Sequence, residues 1–445
     1  MTIDSSVLRS FSERFHKDPV AQASKSAIAR VGLAQATFNN DVLRRHNFKF
    51  SDETARGEIT YQKQSGRCWM FASLNTARVE VMKKLNLETF EFSQNYSFFW
   101  DKLEKAHSFL EYIIETREEE LTSRIIRHLL SSENLMQDGG QWDMYAGILK
   151  KYGAVPKSCM PETFNSSASS QLGSVLRTLM REDACKLRHA FHEEKKSLDE
   201  LQAMKEEMLY EVYQILCQTL GEPPTEVKFS YRDKDKKFHR IEGLTPQEFF
   251  EKYVGWNLDE RISVIHAPTQ DKPYFQAYTV KFLSSILEAK PVRYVNVPME
   301  DLKKFAIRSI QAGHPVWFGC DVGQFLARKE GIMDLETYTY EDSLNIHFEM
   351  DKASRLDYGE SLMTHAMVLV GVDLDENGKP LTWKVENSWG KESGDQGIYS
   401  MSDAWMDEFT YQIMVEREFV DEKALAAYDA EVKELEPWDP FGSLA

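Results

Sequence analysis

An α+β chain is predicted from three features of the sequence. Apolar residues recur at helical spacing through the first half, short β-type runs fill the second, and a late strand–turn–strand signal carries both a histidine and an asparagine. At 445 residues the chain is too long for one small core, which suggests two or three domains or one large domain with insertions. Its 42% hydrophobic and 12% aromatic content allows a sizeable core, and its 28% charged residues suit a soluble protein.

Taken in order, the N-terminus is polar, so residues 1–60 are expected as an extension that packs on the core, with no secretory signal. From Arg67 to Leu85 the residues Phe71, Leu74, Val81, Met82 and Leu85 mark one helical face, and Gly66 belongs to the entering loop. Cys68 therefore falls in the first helical turn. Asn134 to Gly140 reads as a loop leading into a helix from Trp142 to Tyr152, stopped by Gly153 with Pro156 beyond. A helical unit is assigned to residues 61–165. Leu172, Val175, Leu176, Leu179 and Met180 mark a further amphipathic face, and Leu201, Met204, Met208, Val212, Ile215 and Leu216 another, until Pro223-Pro224 ends the run. Residues 166–255 are assigned as a helical insertion, with packing on the main core and a role in subunit contacts weighed equally.

Residues 256–420 read as β-rich, with strands expected at Val292–Val297 and Pro315–Phe318. Thr364 to Gly390 holds two strand-like runs around Asn377-Gly378, a strong hairpin signal. Opposed residues in an antiparallel hairpin keep a constant index sum, which sets His365 across from Asn387 within a residue or two of register. Residues 421–445 form a C-terminal segment.

Charge and cysteine usage exclude several classes. Lys and Arg number 54 against 71 Asp and Glu, a formal charge of −17 that disfavours general binding to phosphate backbones. The cysteines Cys68, Cys159, Cys185, Cys217 and Cys320 are scattered without CxxC spacing, so neither a disulfide framework nor a zinc site is indicated. The apolar run at Met367–Val370 is far too short to span a membrane. A cytoplasmic location is expected.

Amide hydrolysis by a thiol needs a thiolate, and free cysteine ionises only near about 8.5. A helix N-terminus supplies partial positive charge to Cys68, and His365 can act as its base. Asn387 can hold the imidazole in one tautomer by accepting from a ring N–H. The Cys68 N–H and the Gln62 side-chain amide can donate to an oxyanion, each such donor being worth roughly 3–4 kcal/mol in the transition state. Taken singly, Cys68 is a buried structural thiol, His365 a satisfied strand residue, Asn387 a turn former, Gln62 a surface amide and Trp389 ordinary core. Their joint occurrence, in the order Gln, Cys, His, Asn-Ser-Trp, overturns those readings.

In Gln62, Cys68-Trp69, His365-Ala366 and Asn387-Ser388-Trp389-Gly390 the sequence resembles the papain-like cysteine peptidases, and within them the bleomycin hydrolase or aminopeptidase C group. Gly139-Gly140-Gln141-Trp142 resembles the glycine pair that binds substrate backbone, and the C-terminal EPWDPFGSLA resembles the group's tail. The resemblance implies a papain-like two-lobed fold with Cys68, His365 and Asn387 catalytic, Gln62 and Cys68 in the oxyanion hole, and Trp69 and Trp389 supporting. It further implies a helical insertion, a C-terminal arm that brings Ala445 to the substrate's free N-terminus, aminopeptidase activity and a homohexamer. No metal or organic cofactor is required.

Two departures from secreted papain-like enzymes stand out. Ser65-Gly66-Arg67-Cys68-Trp69 replaces C-G-[SA]-C-[WY], so the disulfide of the first cysteine is absent, in keeping with a reducing compartment. Cys68 and His365 lie about 300 residues apart instead of about 130–150, which implies about 150 inserted residues. The rival readings are an open-cleft endopeptidase and a non-catalytic binding protein on the same fold.

Overall fold

The computed structural model describes residues 2–445. Its centre is the helix Cys68–Lys84, whose first three turns are buried on every side, so the five apolar positions legible in the sequence are only part of its packed surface. The helix Gln94–Glu115 packs across it, started by Ser93, whose hydroxyl accepts from the Tyr96 N–H. The helix Trp142–Tyr152 has the predicted bounds. It stops at Gly153, where φ is +69° and an added Cβ would meet the Pro246 carbonyl carbon at 2.4 Å, so only glycine fits.

The helices Ser170–His192 and Leu198–Leu220 both pack on the Gln94 helix, and the second opens with a capping box between Ser197 and Glu200. Residues 166–255 are not helical throughout. Val227–Arg232 and Phe238–Leu244 pair as an antiparallel hairpin, and the helix Pro246–Tyr253 follows. Alternation of Val227, Phe229 and Tyr231 puts one face of that hairpin against the core at Phe90 and Phe249.

The β-rich lobe is one 12-stranded sheet, mostly antiparallel. His365–Leu374 lies in its middle, between Val316–Cys320 and Pro380–Glu386. One face packs on the Cys68 helix, and the other encloses a second core around Phe305, Trp383 and Trp405. The hairpin differs from a two-residue turn. Gly378 alone takes positive φ, the Gly378 N–H donates to the Asp375 carbonyl, and Asp375 pairs with Lys379, which makes a three-residue turn. The Asp375 carboxylate accepts from the Asn377 and Lys379 N–H groups and stabilises it.

Burial differs along residues 1–60. The helices Ser5–Lys17 and Pro19–Val31 bury no residue, and Leu8, Phe11 and Phe15 are exposed. Burial begins at Thr37, Val42 and His46, where the His46 ring bonds Ser400 and Asp334. At the other end, Val432–Leu435 joins the sheet edge beside Ala277–Val280, and the last residues run back into the cleft between the lobes.

The lobes are tied by a buried ion pair. Arg78, on the Cys68 helix, holds Glu386 at 2.6 Å, and their side chains are 1% and 2% exposed. Arg78→Leu leaves Glu386 alone in the core and is expected to destabilise the fold by about 3–5 kcal/mol. Denaturant melting that shows less than about 1 kcal/mol would contradict this role.

Candidate active site

Cys68 is the first residue of its helix, and the turn has no side-chain cap, unlike the Ser93-capped helix beside it. No side chain caps the Cys68 and Trp69 N–H groups, while the Met70 N–H donates to the Arg67 carbonyl at 3.0 Å, and the aligned peptide dipoles favour negative charge at this end. The thiol itself is 3% exposed and is bonded by the backbone of Ala366, the residue after His365.

His365 opens the central strand. Its Nε2 lies 3.0 Å from Asn387 Oδ1. An amide oxygen only accepts, so Nε2 carries the hydrogen and Nδ1 keeps its lone pair. The juxtaposition arises as the hairpin register requires. Pairing runs from Asp373 opposite Thr382 to Val368 opposite Glu386, with one irregularity between Leu369 and Gly371 that shifts the later pairs by a single residue. Trp389 lies over the imidazole with ring centroids 4.8 Å apart, and the Arg328 guanidinium lies 4.3 Å from the Trp389 ring. Cys68, His365 and Gln62 line one cleft of about 1510 Å³.

Burial pushes the Cys68 thiol up to about 11 and is only partly offset by the Ala366, Trp69 and Cys68 backbone bonds. Burial likewise pushes His365 down to about 4, against the opposing pull of Asn387. Neither group ionises alone at neutral pH. If a proton passes from the thiol to the imidazole, the two opposite charges so formed would stabilise each other.

Gln62 is held from two directions. The Ser388 hydroxyl donates to Oε1 at 2.6 Å, while Nε2 donates to the Ser65 carbonyl at 2.6 Å. The second amide hydrogen remains for the cleft. Gly139 and Gly140 form the opposite wall. Gly140 and Ala445 exchange two backbone hydrogen bonds, at 3.2 and 3.3 Å. A Cβ on Gly139 would lie 2.6 Å from the Ala445 oxygen, and one on Gly140 would lie 2.6 Å from the Trp69 ring. Trp69 is held in turn by its Nε1–H donating to the Asp138 carbonyl at 2.8 Å.

All the residues singled out in the sequence meet at this cleft or directly support it. Ser388 and Asp138 were missed. Ser388 is inside the Asn-Ser-Trp motif and Asp138 directly precedes the glycine pair, but a lone hydroxyl or carboxylate carries no periodic signal. Among the described residues, no group of three or more His, Cys, Asp or Glu is placed to hold a metal ion. No helix there is long and apolar enough to cross a membrane.

A thiol on an uncapped helix start, an imidazole and the amide that orients it, set between a helical and a β-rich lobe, define a papain-like cysteine peptidase. The chain matches the Peptidase C1-like family over residues 2–442 and belongs to it. It is 48% identical over 441 residues to aminopeptidase C of Streptococcus thermophilus, covering 98% of each chain. To aminopeptidase C of Lactococcus lactis subsp. cremoris it is 46% identical over 445 residues and the whole of both chains. Human bleomycin hydrolase is 40% identical over 407 residues, 90% of this chain and 89% of that one. The crystal structure of PepW from Lactobacillus rhamnosis superposes with a TM-score of 0.97 at 46% identity, covering 100% and 99%. With that kinship over its full length, the chain is a cysteine aminopeptidase.

The charge states give a pH expectation. With the His365 pKa depressed, the imidazole is neutral and able to accept above about pH 4 and protonated below it. The acid limb of kcat/KM should therefore fall near pH 4, well below the usual histidine value of about 6.5. A limb near pH 6.5 in a pH–rate profile would contradict it.

Proposed function

We propose that the enzyme removes residues one at a time from the free N-terminus of peptides, with Cys68 as nucleophile, His365 as general base and Asn387 as its orienter. Sγ gives its proton to Nδ1 and attacks the carbonyl carbon. The oxyanion is received by the Cys68 N–H and the Gln62 amide. Collapse breaks the C–N bond, the imidazolium protonates the leaving amine, and water then hydrolyses the thioester with His365 again as base. Trp69 and Trp389 support these groups by packing.

The observation that carries the exopeptidase reading is the reciprocal backbone pairing of Ala445 with Gly140. An extended substrate would use the same edge, so the arm fills the path that a longer N-terminal stretch would take. The arm is well anchored: Phe441 is buried, Gln141 Nε2 donates to the Ser443 carbonyl at 2.5 Å, Lys272 pairs with Asp439 at 2.8 Å, and Arg124 stacks 3.8 Å from the Trp438 ring. A terminal carboxylate at Ala445 would receive the substrate's α-ammonium. At about 4 Å and an effective dielectric near 20 that attraction is on the order of 4 kcal/mol, falling to about 1 kcal/mol with solvent exposure.

The proposal extends to a cytoplasmic homohexamer that acts on peptides, with no membrane or nucleic-acid partner. The free state of all five cysteines suits a reducing compartment, and the exposed Leu8, Phe11 and Phe15 offer apolar surface for self-association. Sedimentation should give a species several times the 51.6 kDa chain; an active monomer would refute the assembly.

Cys68→Ala should abolish turnover in a folded protein, His365→Ala should remove most of it, and Asn387→Ala should cost less. Gln62→Ala should lower kcat more than it raises KM, because its donor bond strengthens in the transition state. Full activity in Cys68→Ala would sink the assignment.

Deleting the last few residues should weaken cleavage of free-amine substrates by at least tenfold and admit N-acetylated ones. With the intact arm, KM for free-amine substrates should rise above about pH 8, where the substrate's ammonium loses its proton and its attraction to the carboxylate. A truncated enzyme that keeps its full preference for free N-termini would show that the arm is not the anchor.

A further inference from the structure

Gln137–Gly140 has no regular secondary structure, yet it must present Gly139 and Gly140 to the cleft. Its carbonyls are bound by two buried ammonium groups from the Gln94 helix. Lys102 Nζ donates to the Met136 carbonyl at 2.7 Å and the Gln137 carbonyl at 3.0 Å, and pairs with Asp138 Oδ1 at 2.8 Å. Lys105 Nζ donates to the Gln137 carbonyl at 2.8 Å, the Gly139 carbonyl at 2.6 Å and Asp101 Oδ2 at 2.9 Å. An ammonium has three donors, and here each one has a partner. The two lysine side chains are 0% and 10% exposed.

Asp138 links this segment to the turn before Cys68. Its Oδ2 accepts from the Gly66 N–H at 3.0 Å and from the Ser169 hydroxyl, while its backbone carbonyl accepts from Trp69. Lys105 also lies 5.2 Å from the Trp69 ring, against which Gly140 packs. Ser65 stands where secreted papain-like enzymes have a cysteine, so no disulfide is available to this turn.

We propose that Asp101, Lys102, Lys105 and Asp138 form a positioning device that holds the Gly139–Gly140 edge at a fixed distance from Cys68. The inference rests on the reading of that edge as the place where substrate backbone binds. The geometry favours positioning over bulk stability because the lysines bind the carbonyls of the edge segment itself, and the carboxylate binds an amide two residues before the thiol. Burying four charges where apolar side chains would pack is otherwise an expensive way to fill a core. None of the four touches substrate; each acts through the edge or through the turn at Gly66.

The test measures kcat and KM on the peptide that the wild type cleaves fastest. In parallel it follows the rate at which iodoacetamide, a small reagent that needs no backbone edge, alkylates Cys68. The variants are Lys105→Met, Lys105→Arg and Asp138→Asn. The double variant Asp101→Asn, Lys105→Met removes the charge pair together and keeps the test available if Lys105→Met does not fold. For Lys105→Met or the double variant, and for Asp138→Asn, kcat/KM per folded enzyme should fall ten- to a hundredfold. Cys68 alkylation should stay within twofold, and Lys105→Arg should recover most of the loss. Unchanged kinetics with only a lowered melting temperature would overturn the proposal, as would alkylation that slows in step with turnover. The preference of the wild type for free over acetylated N-termini is read separately, so a failed exopeptidase reading is distinguishable from a failed positioning role.

Discussion

The wedge of the uncapped Cys68 helix start into the seam beside the His365 strand is the constraint on which the rest depends. A helix whose first N–H groups carry no cap is stable only if tertiary packing holds it. Here that packing is extensive: Trp69 and Met70 are fully buried, and Trp317 Nε1 donates to the Trp69 carbonyl at 3.2 Å across the lobes. The same burial disfavours charge on the thiol or the imidazole alone, and in the proposed mechanism the Cys68 N–H, which no side chain caps, receives the oxyanion. Stability and chemistry draw on one interface, and the Arg78–Glu386 pair beside Asn387 keeps it closed.

On this frame the chain adds specificity by geometry. The chemistry of a thiol, an imidazole and an amide does not distinguish the middle of a peptide from its end. In the proposed reading the distinction comes from the tail that lies in the cleft. The tail pairs with Gly140 as a substrate would, and the bare faces of Gly139 and Gly140 make that approach possible. In the proposed reading, a steric stop and a charge at one end of the cleft would turn a general peptide cleaver into one that counts residues from the N-terminus.

Much of this was legible in the sequence, for physical reasons. The Trp142–Tyr152 helix was bounded correctly because a glycine at positive φ and a nearby proline leave few alternatives. His365 and Asn387 were paired from hairpin arithmetic alone, and the irregularity near Val370 changed the register by only one residue. Other features were hidden. The hairpin at Val227–Leu244 sat behind two strong helical signals, and its short alternation was overlooked. The two helices at Ser5–Lys17 and Pro19–Val31, whose residues stay unburied, lie in a stretch that the sequence marks only as polar. Lys102 and Lys105 share a helix face with Phe98 and Phe109, and nothing local in the sequence marks them. Their partners are loop carbonyls more than thirty positions away, which no local pattern reveals.

The central claim is that an occupied cleft makes this papain-like enzyme count from the N-terminus. The most direct measurement follows one unlabelled peptide of about ten residues by mass spectrometry over time, first with its N-terminus free and then acetylated. The account requires successive products each one residue shorter from the free peptide and no cleavage of the acetylated one. Internal fragments at the earliest times, or equal cleavage of the two forms, would contradict it.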